Sequence, residues 1–220
     1  MISRARALAL AWPLAMSLSG CALFGDNSSG QASTGFRNGD VAGAYVPLQA
    51  HALGIFQHWG AAVVVAPHVA ATNAHNAPLL DSGSILAVSK DYDLLFFRTD
   101  KAELPRIATA EPGERVIAYG QGSDKDLREA AGAVRAVNVR VGPRCSDCET
   151  QKAITYDAAA GPGFSGGPLV DAQTGAVVGI TFGYQGDNDG DGPHRQMYAY
   201  GMDLVLAEMH RLLGQNAPDS

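Results

Sequence analysis

A serine occupies the most unusual stretch of this chain, Gly161-Pro162-Gly163-Phe164-Ser165-Gly166-Gly167-Pro168-Leu169. Glycine admits positive φ and the close approach of a second backbone, so this density of it suits neither an α-helix nor an ordinary strand. A hydroxyl nucleophile needs such a frame. Its oxygen must stand clear of the chain, and nearby N–H groups must converge on one point to hold an oxyanion. The N–H groups of Gly163 and Ser165 are the candidates for that hole. The competing reading is a glycine-rich hairpin in which Ser165 is incidental.

A serine hydroxyl is a weak nucleophile at neutral pH and needs a base, usually histidine. Among the six histidines, His75 stands out by context, because Val69-Ala70-Ala71-Thr72-Asn73-Ala74-His75 follows the apolar run 61–66. A carboxylate at the mouth of an apolar strand can be buried and can hold an imidazole in one tautomer. The segment Lys90-Asp91-Tyr92-Asp93-Leu94-Leu95-Phe96-Phe97 offers Asp91 and Asp93. Both residues also suit the turn of a hairpin.

Together these segments resemble the trypsin-like peptidase family, nearest its bacterial Deg-type periplasmic branch. Thr72-Asn73-Ala74-His75 is similar to the histidine motif of that branch, Asp93-Leu94-Leu95 to its aspartate segment, and Gly163-Phe164-Ser165-Gly166-Gly167-Pro168-Leu169 to its serine motif. Gly175-Ala176-Val177-Val178-Gly179-Ile180 is similar to the strand after the serine. The resemblance covers roughly residues 54–206 and keeps the family's order of His, Asp and Ser. It implies two packed β-barrels with the active site between them. It implies His75 as general base, Asp93 as its orienting partner, Ser165 as nucleophile, and an oxyanion hole from the N–H groups of Gly163 and Ser165. It also implies that Thr181, Phe182 and Gly183 run beside the substrate backbone and that Ala159 forms the base of the primary specificity pocket. Ala159 is small and uncharged, so cleavage after small or medium apolar residues is expected.

The chain departs from that pattern in places. His75 and Asp93 lie only 18 positions apart, so the first barrel must be trimmed, to a hairpin at 84–98 packed on 61–66. This spacing keeps Asp91 and Asp81 as alternatives to Asp93. Phe164 replaces the usual polar residue before the serine. Beyond the substrate strand, Asp187, Asp189 and Asp191 alternate as oxygen ligands do in a calcium loop, but an EF-hand would need glutamate where Tyr198 stands. The loop is either a structural Ca²⁺ site or an acidic flexible hairpin, and no cofactor is required for the chemistry.

The elements that must position these residues read as short strands rich in Val, Ile, Tyr and Phe, punctuated by Gly and Pro. Candidate strands are 54–57, 61–66, 84–89, 93–98, 115–119, 131–141, 152–156, 167–170, 176–182 and 195–200, and only 202–213 has helical spacing. The expected fold is all-β, with two small packed barrels, the first trimmed, and a C-terminal α-helix. The expected divisions are a leader at 1–20, a lipidated cysteine and tether at 21–43, and a peptidase domain at 44–210. Within that domain the N-terminal barrel takes about 44–104, the C-terminal barrel about 105–201 and the helix 202–213.

The leader reading rests on Arg4 and Arg6 followed by an apolar run too short to span a bilayer. It ends in Leu18-Ser19-Gly20-Cys21, which resembles the lipobox of bacterial lipoproteins and implies lipidation at Cys21. Ala22 after the cysteine implies the outer membrane, so the expected place is the cell envelope, facing the periplasm. Export brings an oxidising compartment, where Cys145 and Cys148 can form a local disulfide. A reduced pair or half of a metal site is the alternative. The chain's net charge of −6 becomes more negative once Arg4 and Arg6 leave with the leader, which argues against nucleic acid as a partner. Three activities fit these residues: a lipid-anchored serine endopeptidase acting on peptides, a peptide-binding module without catalysis, and an esterase-like hydrolase.

Overall fold

In a computed structural model, the structure describes residues 30–37, 39–52, 56–122, 125–142, 151–185 and 195–214. Strand β1 (Gln31–Ala32) and helix α1 (Gly39–Ala44) lead into a five-stranded antiparallel sheet. Its strands are β2 (Tyr45–Ala52), β3 (Phe56–Ala66), β4 (Val69–Thr72), β5 (Ile85–Val88) and β6 (Leu95–Arg98), in the spatial order β2-β3-β4-β6-β5. Among the described residues the edges β2 and β5 do not pair, so this sheet is open. Pro47 lies on edge strand β2, where a missing N–H is tolerated. The expected hairpin is present as β5 and β6, but β6 reaches β3 only through the intervening β4. Strand β4 escapes the sequence pattern because its short run Val69-Ala70-Ala71-Thr72 has no alternation.

The second half closes on itself. Strands β7 (Arg115–Gln121), β8 (Leu127–Val141), β9 (Gln151–Ala158), β10 (Pro168–Asp171), β11 (Val177–Gln185) and β12 (Arg195–Gly201) form a six-stranded barrel in the order β8-β7-β10-β11-β12-β9, closed by β8 against β9. The 15-residue β8 makes closure workable, pairing with β7 near its start and with β9 further along. Irregularities between Val134 and Ala136 and between Ala136 and Val139, with Asn138 at φ 56, bend it from one partner to the other. Tyr156, Phe164, Leu169, Val178 and Met197 pack inside the barrel.

The largest apolar cluster belongs to neither half alone. Val63 and Phe96 of the first sheet, with Leu94 just before β6, meet Ile117, Tyr119, Ile180 and Tyr200 of the barrel. Helix α2 (Met202–Gly214) adds Met202, Val205 and Met209, the spacing that puts one helical face on the core. Burying these side chains at roughly 1.5–3 kcal/mol each holds the halves together, and the candidate residues lie along that seam. No helix among the described residues is long and apolar enough to cross a membrane.

The N-terminal part differs from the sequence reading of a tether reaching residue 43. From Gly30 onward the chain is packed: β1 pairs with β8, and Phe36 lies between Tyr45 and Tyr119. The segment has no apolar periodicity because single residues, not a helical face or a strand face, make its contacts.

Candidate active site

Strand β4 runs straight into a 3₁₀ helix, Ala74–Leu79, that carries His75. Four consecutive polar contacts fix its entry. Thr72 Oγ1 donates to Ala61 O at 2.7 Å, tying the end of β4 to β3. Asn73 Nδ2 donates to Asp93 O at 3.0 Å. The His75 N–H donates to Asp93 Oδ1 at 3.1 Å, and His75 Nδ1 stands 2.6 Å from Asp93 Oδ2. An ionised carboxylate can only accept, so Nδ1 carries the proton and Nε2 is left as the acceptor nitrogen. The Asp93 side chain is 8% exposed and the His75 side chain 41%, so the pair is anchored at the acid and open at the imidazole. Of the three candidate carboxylates, Asp93 is the one that meets His75. Asp91 lies 3.5 Å from Arg211, and Asp81 is exposed at the start of the second 3₁₀ turn.

Asp93 is also held from the barrel. Its N–H donates to the Tyr200 hydroxyl at 3.0 Å, Tyr200 donates to Gln151 Oε1 at 2.6 Å, and Gln151 Nε2 donates to Asp91 O at 2.8 Å. Helix α2 holds the same loop: Ser89 Oγ donates to Glu208 Oε1 at 2.5 Å and accepts from the Tyr92 N–H at 3.0 Å. Two hydrogen bonds from Arg211, helped by the Ser89 hydroxyl and opposed by burial, hold the Glu208 carboxyl below its ordinary range.

Ser165 comes from the other half. Gly161-Pro162-Gly163-Phe164 has proline second and glycine third, the signature of a type II turn. The structure matches it, with Gly163 at φ 90 and the Phe164 N–H donating to Gly161 O at 3.1 Å. That bond does not use the Gly163 N–H. The turn is then pressed onto the first sheet. The Ser165 carbonyl accepts from Ala61 N and from Asn76 Nδ2, each at 3.0 Å. Asn76 is the residue after His75, so one side chain joins the histidine helix to the serine turn. A side chain on Gly166 would meet Ala61 O at 2.1 Å and Thr72 Oγ1 at 2.2 Å, so this approach demands glycine.

Thr181, expected beside a substrate, is also held from within. Its N–H donates to Gly167 O at 3.0 Å, its carbonyl accepts from Gly166 N at 2.8 Å, and its hydroxyl meets the buried Tyr156 hydroxyl at 2.8 Å. Burial pushes the Tyr156 hydroxyl up and keeps it neutral. Thr181 therefore braces the serine loop, and the open stretch starts at Phe182. The Phe182 ring stacks on Tyr200 at 4.0 Å, and among the described residues nothing lies within 4 Å of where a Gly183 side chain would begin. A groove of about 490 Å³ runs along Asp93, Gln151, Phe182, Gly183, Tyr198 and Tyr200. Ala159 is exposed just past the end of β9. Cys21, Cys145, Cys148, Asp187, Asp189 and Asp191 lie outside the described residues. No group of three or more His, Cys, Asp and Glu residues able to hold a metal occurs among the described residues.

Sequence reasoning missed Asn76, Asn73 and Tyr200. The two asparagines left a trace, since two amides flanking a histidine after an apolar strand need buried partners. Tyr200 left none.

Residues 60–180 match the family described as trypsin-like peptidase domain. The fold is shared with solved structures at low sequence identity. The HtrA-type protease AlgW with a tripeptide has a TM-score of 0.66 at 20% identity, covering 80% of this chain and 62% of that one. This chain thus spans about three fifths of the AlgW chain. The active form of the Rv3671c protease from M. tuberculosis has a TM-score of 0.61 at 19% identity, covering 77% and 80%. The MamO protease domain from Magnetospirillum magneticum in its apo form has a TM-score of 0.57 at 16% identity, covering 77% and 97%. No curated protein matches in sequence.

Proposed function

This chain belongs to the trypsin-like peptidase domain family, and we propose that it is a serine endopeptidase that cleaves peptide bonds through an acyl-enzyme at Ser165. The observation that carries this reading is the His75–Asp93 contact at 2.6 Å, on a helix whose next residue, Asn76, holds the Ser165 carbonyl. In this mechanism His75 Nε2 takes the Ser165 hydroxyl proton as Oγ attacks the scissile carbonyl, then returns it to the leaving amine. Asp93 holds the tautomer and stabilises the imidazolium. The N–H groups of Gly163 and Ser165 hold the oxyanion. Water then enters by the same route and releases the acid product.

An extended peptide would lie along the stretch from Phe182, and the small Ala159 favours small or medium apolar residues before the cut. A peptide library cut mainly after Arg and Lys would contradict that specificity. Purified protein should cleave such peptides and Ser165→Ala should not; a Ser165→Ala variant that retains turnover would overturn the mechanism.

The same proposal places the enzyme in the bacterial cell envelope, anchored by lipid on Cys21. Cys21→Ser would release it from the membrane fraction. The nine residue-to-residue steps from Cys21 to Gly30 reach at most about 32 Å when fully extended, so the anchored domain would work close to the membrane. A Cys145–Cys148 disulfide would appear as a mass change on reduction and alkylation. Calcium at Asp187, Asp189 and Asp191 would raise the melting temperature at millimolar concentration, as any ligand of the native state does.

A further inference from the structure

We propose that the segment from Gly30 to Arg37 is a working part of the catalytic centre, closing one wall around Phe164 so that this ring fixes the Gly163–Ser165 turn. The proposal rests on the reading of Ser165 as nucleophile. Phe164 is fully buried in the barrel core while its backbone forms the turn, so the ring anchors the turn. Bare backbone touches it on two sides. A side chain on Gly30, which sits at φ 73, would begin 2.6 Å from Phe164 Cζ and 2.8 Å from Glu129 O. A side chain on Gly120 would begin 2.8 Å from Phe164 Cγ and 2.8 Å from Gly163 O. The Gln121 N–H also donates to Gly163 O at 2.9 Å. The ring cannot tilt without moving backbone.

The segment is fastened to the same two strands that carry these contacts. The Ser33 N–H donates to Leu127 O at 2.8 Å. Ser33 Oγ and Arg37 both donate to the Glu129 carboxylate at 3.0 Å, while the Glu129 carbonyl abuts Gly30. The Arg37 N–H donates to the Tyr119 hydroxyl at 3.2 Å, and Phe36 lies 4.8 Å from the Tyr119 ring, one residue before Gly120. Ser165 thus has as its neighbour an apolar plug whose outer wall comes from the segment Gly30 to Arg37. Phe164 is a positioning residue, and the segment acts through it.

The test uses the full-length chain with Gly30→Ala, Phe164→Leu and the double variant, read by steady-state cleavage of a peptide, by the rate of fluorophosphonate labelling and by melting temperature. Leucine lacks the Cζ that a Gly30 side chain would strike. The expected result for Gly30→Ala is a loss of kcat on the order of tenfold with KM within about twofold, because a displaced turn impairs the transition state more than binding. The double variant should lose less than the product of the two single losses. Arg37→Ala, which removes an exposed clasp on Glu129, should fold and lose kcat by about threefold through a looser segment. A fall in melting temperature with kcat unchanged in the folded protein, or losses that multiply independently, would overturn the inference. Absence of labelling in the unmutated protein would instead remove the serine-hydrolase reading, and this inference with it.

Discussion

The open first sheet delivers His75 and Asp93 on segments pinned by polar side chains, whereas the closed barrel delivers Ser165 on a turn held by backbone contacts and glycines. Thr72, Asn73 and Asn76 each hold a named carbonyl or hydroxyl, and Asp93 accepts two bonds from one residue. The Ser165 turn is placed by Ala61 N, by the Asn76 amide, by the braces through Gly166, Gly167 and Thr181, and by the buried Phe164 ring. The difference fits the proposed chemistry. A base must be oriented in angle and tautomer, which needs directional bonds to its ring and to its acid. A nucleophile next to an oxyanion hole must leave its N–H groups unengaged, which needs close backbone packing. The open sheet also leans on the barrel, because Tyr200, Gln151 and Glu208 reach across to the loop that carries Asp93.

The comparison breaks most sharply at the residues proposed to do the chemistry. Ser165→Ala and His75→Ala should each remove about 10⁴-fold to 10⁶-fold of kcat, since nucleophile and base act as one unit. Asp93→Asn should remove roughly 10⁴-fold by trapping the wrong tautomer, while binding of a peptide changes little. Steady-state kinetics on one peptide checks all three. If Asp93→Asn matches the unmutated enzyme, the orientation assigned to the first sheet is wrong.

Contacts between the regions come next. Asn76→Ala removes the bond that joins histidine helix and serine turn, and should lower kcat by roughly 10- to 100-fold through misalignment. It should also cost about 1–3 kcal/mol of stability, because the Ser165 carbonyl and the Thr72 hydroxyl lose a buried partner. Denaturant unfolding separates that cost from the kinetic one. Gly166→Ala should be worse for folding, since a side chain at φ 81 would press into Ala61 O.

The most local elements were legible in the sequence, and the long-range ones were not. The serine motif and His75 are defined by neighbours within a few residues, and the C-terminal helix by its apolar spacing. Asp93 was one of three candidates because a carboxylate before an apolar strand has no local mark that separates acid from turn residue. The bonds of Thr181 to the serine loop were not legible because register within a strand decides which residue faces that loop, and register is fixed by pairing with β12 and β10. Asn76 to Ser165 spans 89 positions and Tyr200 to Asp93 spans 107, so neither contact has a sequence pattern. The docking of residues 30–37 was hidden for the same reason, since glycine and serine there read as tether composition.

The smallest effect concerns the helix that reaches back to the first sheet. Glu208 titrates below its ordinary range in the folded chain, so it contributes stability above the unfolded carboxyl's range and loses it as pH falls through the folded value. Glu208→Gln should therefore lower the melting temperature at neutral pH, and the gap should close as the pH falls into the acid range. A gap independent of pH would show that the carboxylate charge is not what ties Glu208 to Ser89 and Arg211.

Central to the account is that two regions assemble one activated serine. Mass spectrometry of the fluorophosphonate-treated protein tests this directly, by locating the adduct in the native chain and in His75→Ala. The account predicts an adduct on Ser165 in the native chain and almost none in His75→Ala. A native chain without an adduct at Ser165, or equal labelling in both proteins, would contradict it.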